Sequence, residues 1–344
     1  MTDKKYHTLV FVGRFQPVHN AHAEIIRRAA KMAKQVVIIV GSANQPRTYK
    51  NPWSSKDREM MLQNIINEMS STMDECMIRV EHNIDTIYND TAWAGRVQAI
   101  VGKHTQPGDK IGVIGHKKDT SSFYLDMFPQ WAYEEVPLIE PLNASSIRDL
   151  YFRADSNMNF IKGVVPGSVY RMLVAWSGPE REQIIRERDF VEMYKKQYAS
   201  LPYAPVFVTT DAVVICSGHV LMIKRRSEPG KGLWAMPGGF LNAATDRSVQ
   251  DAMIRELREE TGIKVPGPVL IGSIARVQVF DAIDRSARGR TITHAFKIML
   301  PDGSLPKVKG MDDAEKAQWI PIAELDSSVC FEDHYEILTT MIGA

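Results

Sequence analysis

The sequence predicts an α/β protein of two domains, with a helix-flanked parallel sheet in the first half and a mixed α+β sandwich in the second. Three observations carry this. The chain has 344 residues, the length of two ordinary domains at about 100–200 residues each. In the first half, short and wholly apolar runs alternate with helical patterns, as strands buried on both faces of a parallel sheet do. In the second half, several strand-like runs surround one strong helix. Hydrophobic residues at 44% and charged residues at 24% supply real cores and exclude disorder for the chain as a whole.

Taken in order, residues 8–12 (TLVFV) read as a buried strand, 23–33 as a helix and 36–40 (VVIIV) as a second buried strand. Residues 56–69 read as a helix, with Met60, Met61, Ile65, Ile66 and Met69 near the 3.6 period. Residues 111–114 and 136–139 read as further strands. From 179 to 198 the chain is dense in Arg, Glu, Lys and Gln, as a solvent-exposed helix is, and LPYAP at 201–205 carries two prolines, a boundary signal. The division expected is therefore 1–176, a helical linker at 177–204, and 205–344. In the second half, 206–216 and 219–224 flank Ser217-Gly218, a two-residue hairpin signal. A helix at 248–261, strands at 269–280 and 291–300, and a short helix near Ile322 complete the reading.

Forty-two Lys and Arg against forty-one Asp and Glu leave +1, which argues against a dedicated nucleic-acid binder. The longest apolar runs are strand-length, too short to span a bilayer, and the N-terminus carries no export pattern. Cys76, Cys216 and Cys330 form no metal pattern. A cytoplasmic enzyme without membrane or nucleic-acid partners is the expectation, and homo-oligomerisation is left open.

Residues 13–22 read GRFQPVHNAH, directly after the first strand and opening the first helix. Gly13 permits a tight turn and close approach of a ligand. His19 and His22, three apart at a helix N-terminus, place two imidazoles and free N–H groups where phosphate oxygens bind, at the carboxyl edge of a parallel sheet. The string resembles the nucleotidyltransferase signature H-x-G-H, with Ala21 at its glycine, and implies a Rossmann-like domain whose histidines contact ATP phosphates. NASSIR at 143–148 is similar to the family's second element. There Ser145 and Ser146 are expected to cap a helix and donate to phosphate, and Arg148 to clamp the triphosphate. The form GRFQP, including Arg14 and Phe15, with NPWSSKDR at 51–58 and YNDTAW at 88–93, resembles the archaeal-type nicotinamide mononucleotide adenylyltransferases. That resemblance implies that Trp93 stacks on the nicotinamide ring. It also puts Asp90 where an asparagine commonly holds the carboxamide. GHKKD at 115–119 has two readings: Gly115 and Lys118 close over the nucleotide with the lysine near phosphate, or the lysines are solvated surface charge. The implied reaction is attack by the mononucleotide phosphate on the α-phosphorus of ATP, with His19, His22, Arg148 and magnesium neutralising the leaving pyrophosphate.

The second motif is RELREETGI at 255–263, with Gly238-Gly239 upstream. Glu256, Glu259 and Glu260 fall on one helical face, and three crowded carboxylates call for a divalent cation, Mg2+ or Mn2+. The segment resembles the Nudix box, which implies metal binding by these three and catalysis by Glu259 and Glu260. It departs from the pattern in one respect. The stretch between Gly239 and Arg255 is two residues longer than in the box, and no glutamate fills the first acidic slot; Asp246 is the nearest carboxylate. Downstream, FDAIDRSARGRTITHAF offers Phe280, Arg288 and His294 to meet adenine or diphosphate.

The chain thus resembles, over nearly its whole length, the bifunctional nicotinamide mononucleotide adenylyltransferase/Nudix hydrolases. The resemblance implies ATP, nicotinamide mononucleotide, NAD and ADP-ribose as ligands, with Mg2+ or Mn2+ in both domains. One alternative is a non-catalytic, ADP-ribose-sensing Nudix half, as in regulators that carry a basic winged-helix segment after the domain; only a short tail follows Val329 here. Another is a cytidylyltransferase first half, against which Trp93 and GRFQP speak.

Overall fold

The computed structural model describes residues 4–70, 76–117, 120–137, 143–153 and 158–343. The chain divides into two compact units, Met1–Ile185 and Arg186–Ala344.

The first unit runs β1 (Tyr6–Gly13), α1 (Asn20–Met32), β2 (Ala33–Val40), α2 (Ser55–Met69), β3 (Met77–His82), α3 (Asp90–Gly102), β4 (Ile111–Gly115) and β5 (Ala132–Glu135). It closes with α4 (Ala144–Phe152), α5 (Met158–Val164), α6 (Gly167–Ala175) and the first part of α7 (Pro179–Lys196). The five strands pair in parallel in the order β3-β2-β1-β4-β5. The apolar runs serve two cores by alternation. Leu9 and Phe11 of β1 and Val36 and Ile38 of β2 join α1 and α2 through Ile26, Leu62 and Ile65. Val10, Val12, Val37 and Ile39 face the other way, onto Val97 and Val101 of α3. This is a Rossmann-like doubly wound sheet, and its order reverses at β1, so the crevice beyond β1 and β4 is where a ligand fits.

The strand expected at 136–139 lies earlier, at Ala132–Glu135. Val136 N–H still donates to the Gly115 carbonyl, but Pro137 has no N–H to continue the ladder. Ile139 is outside the described residues.

The second unit holds a seven-stranded mixed sheet of order β10-β11-β6-β7-β12, with two short strands paired on its central members. Its elements are β6 (Phe207–Cys216), β7 (His219–Arg225), β8 (Trp234–Ala235), β9 (Gly238–Phe240), α8 (Val249–Thr261), α9 (Gly267–Gly272), β10 (Ile274–Phe280), β11 (Thr291–Met299), β12 (Ala314–Pro321) and α10 (His334–Ile342). Ser217 and Gly218 both take positive φ, 46° and 72°, as a tight β6–β7 hairpin requires. Helix α8 packs Met253 and Leu257 against Val214, Leu221, Phe296 and Ile298. One expectation is corrected. Residues 269–273 belong to α9 and its cap, because Pro266 and Pro268 open a short helix there. The short helix expected near Ile322 is present as a 3-10 turn, Ile322–Glu324. At the start of this unit, Tyr194 and Tyr198 of α7 and its extension pack on Phe207, which meets Phe240. Among the described residues, no helix is long and apolar enough to cross a membrane.

Candidate functional sites

In the first unit, β1 ends at Gly13, and the chain turns back over itself so closely that a Cβ there would lie 2.8 Å from the Phe15 ring. Phe15 holds φ 54° with its ring buried. His19 is the N-cap of α1, and its N–H donates to His22 Nδ1 at 3.2 Å. The two imidazoles stack with centroids 3.7 Å apart. Burial, then His19, hold the His22 imidazole well below its usual pKa. A neutral ring that accepts at Nδ1 carries its proton on Nε2, so His22 is a fixed hydrogen-bond donor. The capping role and the ligand role are therefore compatible in one side chain.

Arg148 of α4 reaches the same turn. Its Nη1 donates to the Gln16 carbonyl at 2.6 Å and Nη2 to Ser145 Oγ at 3.0 Å. Burial and the neighbouring Arg14 pull its guanidinium down to about 10, still a cation at neutral pH. Gln16 is in turn locked to the backbone of Trp53 by two bonds, 2.8 and 3.1 Å. The α4 cap differs from the sequence reading: Asn143 Oδ1 accepts from Ser146 N–H at 3.0 Å and from its hydroxyl at 3.3 Å. Ser145 is left on the cavity wall, and Ser146 is turned to Asn143 instead of to a ligand.

These groups line one cavity of about 790 Å³, together with Gly13, Arg14, Phe15, His19, His22, Asp90, Trp93 and Gly115; that volume suits a nucleotide-sized ligand. Trp93 is half-buried against Tyr124 and Phe128, so it is both a core aromatic and a wall of the cavity. Lys118 lies outside the described residues. Asp85 and His116 also line the cavity and were not anticipated. Asp85 accepts from the Ser42 N–H at 3.1 Å and from its hydroxyl, a pairing across 43 residues that no local spacing announces.

In the second unit, α8 starts on a Ser248 cap and stops at Gly262, φ 58°. Glu260 is buried and accepts the Gly238 N–H at 2.8 Å. A Cβ on Gly239 would lie 2.5 Å from the Glu256 carboxyl carbon, so the paired glycines let the carboxylates approach the β9 backbone. Burial pushes the Glu260 carboxyl up to about 8, and burial raises Glu256 as well. Arg255 Nη1 donates to Glu256 at 2.8 Å and to Glu259 at 2.9 Å. Among the described residues, no three His, Cys, Asp or Glu side chains are already gathered to hold a metal ion. The expected ligand triad is thus close in sequence but turned to other partners. Its chemistry still fits a hard divalent cation: two carboxyls are raised by burial, and positive charge beside them would relieve that.

The chain matches the Cytidylyltransferase-like family over residues 10–121 and the NUDIX domain family over 206–340. It is 34% identical over 179 residues to a nicotinamide/nicotinic acid mononucleotide adenylyltransferase from Acinetobacter baylyi, covering 49% of this chain and 92% of that one. It is 32% identical over 157 residues to an ADP-ribose pyrophosphatase from Methanocaldococcus jannaschii, covering 46% and 81%. A crystal structure of a bifunctional NMN adenylyltransferase/ADP ribose pyrophosphatase from Francisella tularensis, complexed with AMP and a manganese ion, superposes with a TM-score of 0.90. It is 31% identical and the match covers 98% of this chain and 99% of that one. The chain belongs to this bifunctional family.

Against the family's Nudix pattern, the longer stretch before Arg255 folds into a tight turn. The N–H groups of Thr245 and Asp246 donate to the Asn242 carbonyl at 3.2 and 2.9 Å, and Asn242 N–H donates to Asp246 Oδ2 at 2.8 Å. That turn delivers the Asp246 carboxylate to Arg255, which donates to it through Nε at 2.9 Å and Nη2 at 2.8 Å. An aspartate on a longer loop thus reaches the arginine where the box has a glutamate on a shorter one. Of the downstream candidates, Phe280 is 1% exposed and its ring is packing in this conformation, with no face offered to adenine. Arg288 lies over the Phe240 ring, 4.7 Å from its centroid. His294 is half-buried in β11, in register with Val279 and Thr210.

A buried charged cluster was not anticipated. Arg285 holds Asp333 bidentately at 2.9 and 3.0 Å, Ala287 N–H donates to Glu332 at 2.8 Å, and His334 Nδ1 accepts from Met236 N–H at 3.0 Å. Burial drives His334 down to about 3. Together Glu332 and Asp333 fasten the loop that carries Arg288. These residues are 45–48 apart in the chain, so only folding reveals them.

Proposed function

We propose that the first unit transfers the adenylyl group of ATP to nicotinamide mononucleotide, forming NAD and pyrophosphate, and that the second hydrolyses ADP-ribose to AMP and ribose 5-phosphate. The observation that carries the first half is the cavity at the β1–β4 crevice, in which His19, His22, Ser145 and Arg148 meet Trp93 and Asp90. In this reading a phosphate oxygen of the mononucleotide attacks the α-phosphorus in line. The bond to the β-phosphate breaks and pyrophosphate leaves. His22 Nε2–H and Arg148 donate to the oxygens on which charge accumulates, and Trp93 offers a stacking face to nicotinamide. A divalent cation would supply further neutralisation of the triphosphate.

In the second unit Glu256, Glu259 and Glu260 would hold Mg2+ or Mn2+, which supplies Lewis acidity and an activated water when bound. Arg255, anchored by Asp246, holds Glu256 and Glu259 in place before the cation arrives. Both activities would operate on small nucleotides in a reducing cytoplasm, where the free Cys76, Cys216 and Cys330 are stable. In this reading residues 177–204 are the helical linker between the two activities. The test is a substrate panel on the whole chain with Mg2+ or Mn2+, following pyrophosphate and AMP release separately. Pyrophosphate release that depends on both ATP and nicotinamide mononucleotide, and AMP release from ADP-ribose, are expected. ADP-ribose binding without hydrolysis at any metal concentration would replace the hydrolase by a sensor.

A further inference from the structure

Arg58 stands near the start of α2, and its side chain runs back beneath the turn that follows β1. It is 1% exposed. Nε donates to the Ser54 carbonyl at 3.2 Å, Nη1 to the carbonyls of Arg14 at 2.7 Å and Gly41 at 2.6 Å, and Nη2 to that of Ser42 at 2.9 Å. All four acceptors are backbone carbonyls. The anions whose fields reach it are Asp85 and Asp57, and both are committed elsewhere, Asp85 to Ser42 and Asp57 to Arg47 and the Ser54 cap. Burial, then Arg14, pull its guanidinium down to about 10, and it stays charged at neutral pH. Asp85 and Asp57 offset this cation only through space, and a buried guanidinium bonded directly to neutral groups alone still favours further negative charge nearby.

Two facts connect this charge to the cavity. Arg14 and Gly41, whose carbonyls Arg58 holds, both line it. Because each peptide group is planar and trans, drawing the Arg14 carbonyl toward Arg58 turns the Phe15 N–H away from it, while the Ser42 N–H, opposite the Gly41 carbonyl, is taken by Asp85 at 3.1 Å. A phosphate site needs N–H groups and cations at its surface, with carbonyl oxygens withdrawn. A planar fork of five donors can gather four carbonyls in this way, whereas an ammonium is a point charge without that shape.

We propose that Arg58 is a positioning residue of the adenylyltransferase site, holding carbonyls of the phosphate turn back from the cavity and lending it a buried positive charge that the phosphates of a bound nucleotide offset. The inference rests on the adenylyltransferase reading. Arg148 stands in the wall of the cavity, whereas Arg58 stands behind it and acts through the backbone.

The test uses the full chain with Arg58→Met and Arg58→Lys, measuring ATP affinity by calorimetry, kcat and KM for NAD formation, and ADP-ribose hydrolysis as a control for folding of the chain. Arg58→Met is expected to weaken ATP binding by about tenfold, the size of one lost charge-assisted contact, with hydrolysis unchanged. Arg58→Lys keeps the charge but loses the fork, so ATP affinity is expected to stay within about threefold while kcat falls by about tenfold. Wild-type ATP affinity in a folded Arg58→Met protein overturns the proposal. If that variant fails to fold, Arg58→Lys decides: a lowered melting temperature with unchanged kcat and KM marks a scaffold residue and overturns it. A wild-type chain that neither binds ATP nor makes NAD overturns the functional reading, and this inference with it.

Discussion

The two sites bury ionisable groups of opposite kind. In the first unit the ionised groups held out of water at the cavity are guanidiniums: Arg58 and Arg148 are both pulled down to about 10 by burial and Arg14, and their bonds go to carbonyls and a hydroxyl. In the second the groups beside the paired glycines are carboxyls, Glu256 and Glu260, both raised by burial. Each site is thus unfinished in a direction that names what completes it, an anion for the first and a cation for the second. Burial moves each of these groups toward its neutral form, and a charge of opposite sign placed beside it would move it back.

The strongest way to break this comparison is to remove the neutral donor from the anion site. His22→Ala should cost NAD formation about 2–4 kcal/mol of transition-state stabilisation and leave ADP-ribose hydrolysis intact; near-normal synthesis would show that the imidazole only caps its helix. Next is Asp246→Asn. With its anchor weakened, Arg255 should compete with metal for Glu256 and Glu259. The Mn2+ concentration for half-maximal hydrolysis should then rise about tenfold, and a metal titration that superposes on wild type would count against the anchoring role. Trp93→Ala should raise KM for nicotinamide mononucleotide about fivefold, as for loss of one aromatic stack, with KM for ATP little changed. Equal effects on both substrates with a lowered melting temperature would make Trp93 a core residue only.

The smallest effect concerns pH. Glu260 titrates near 8 in the fold, against an ordinary value of 4.5. Between those two values the folded state keeps a proton that the unfolded chain releases. With metal chelated, stability of the second unit should therefore be full below about pH 4.5 as far as this group is concerned, and fall as pH rises toward 8. Glu260→Gln should flatten that slope, and Mn2+ should reverse it. Calorimetric scans with chelator at several pH values decide this; a wild-type slope retained in Glu260→Gln would assign it to another group.

Much of the fold was legible because burial imposes simple rules. Residues 8–12 and 36–40 are buried on both faces and so are apolar without interruption, and α8 declares itself through Ser248, its Met253 and Leu257 stripe and Gly262. Short mixed runs were harder. Residues 269–273 have a strand's composition, yet two prolines start a helix there. Strand β12 (AEKAQWIP) carries too few apolar residues in register to stand out, and α10 is only nine residues long, a short window in which to read a helical period. At the sites, motif residues on one local turn were visible, as with His19, His22 and the three glutamates. Partners recruited across the fold were not: Asp85 with Ser42, Arg58 with Arg14 and Gly41, and Arg285 with Asp333 have no sequence period to betray them. Asn143 is an intermediate case, since the string NASSIR showed that a cap was there but not which side chain supplies it.

Helix α7 is a single rod with two allegiances. Its first turns belong to the first unit, where Ile184 is buried in the core and Arg181 lies over the Tyr151 ring. Its last turns belong to the second, where Tyr194 packs on Phe207 and Tyr198 beside it does the same. A gene cut at the proline-rich stretch 201–205 would therefore hand both tyrosines to the wrong product and leave Phe207 bare on the other. A cut near 185, inside the rod, would give each half its own aromatic lining. Anyone seeking to trade one half of this chain for a foreign domain inherits that constraint, because the exchangeable module begins upstream of the prolines.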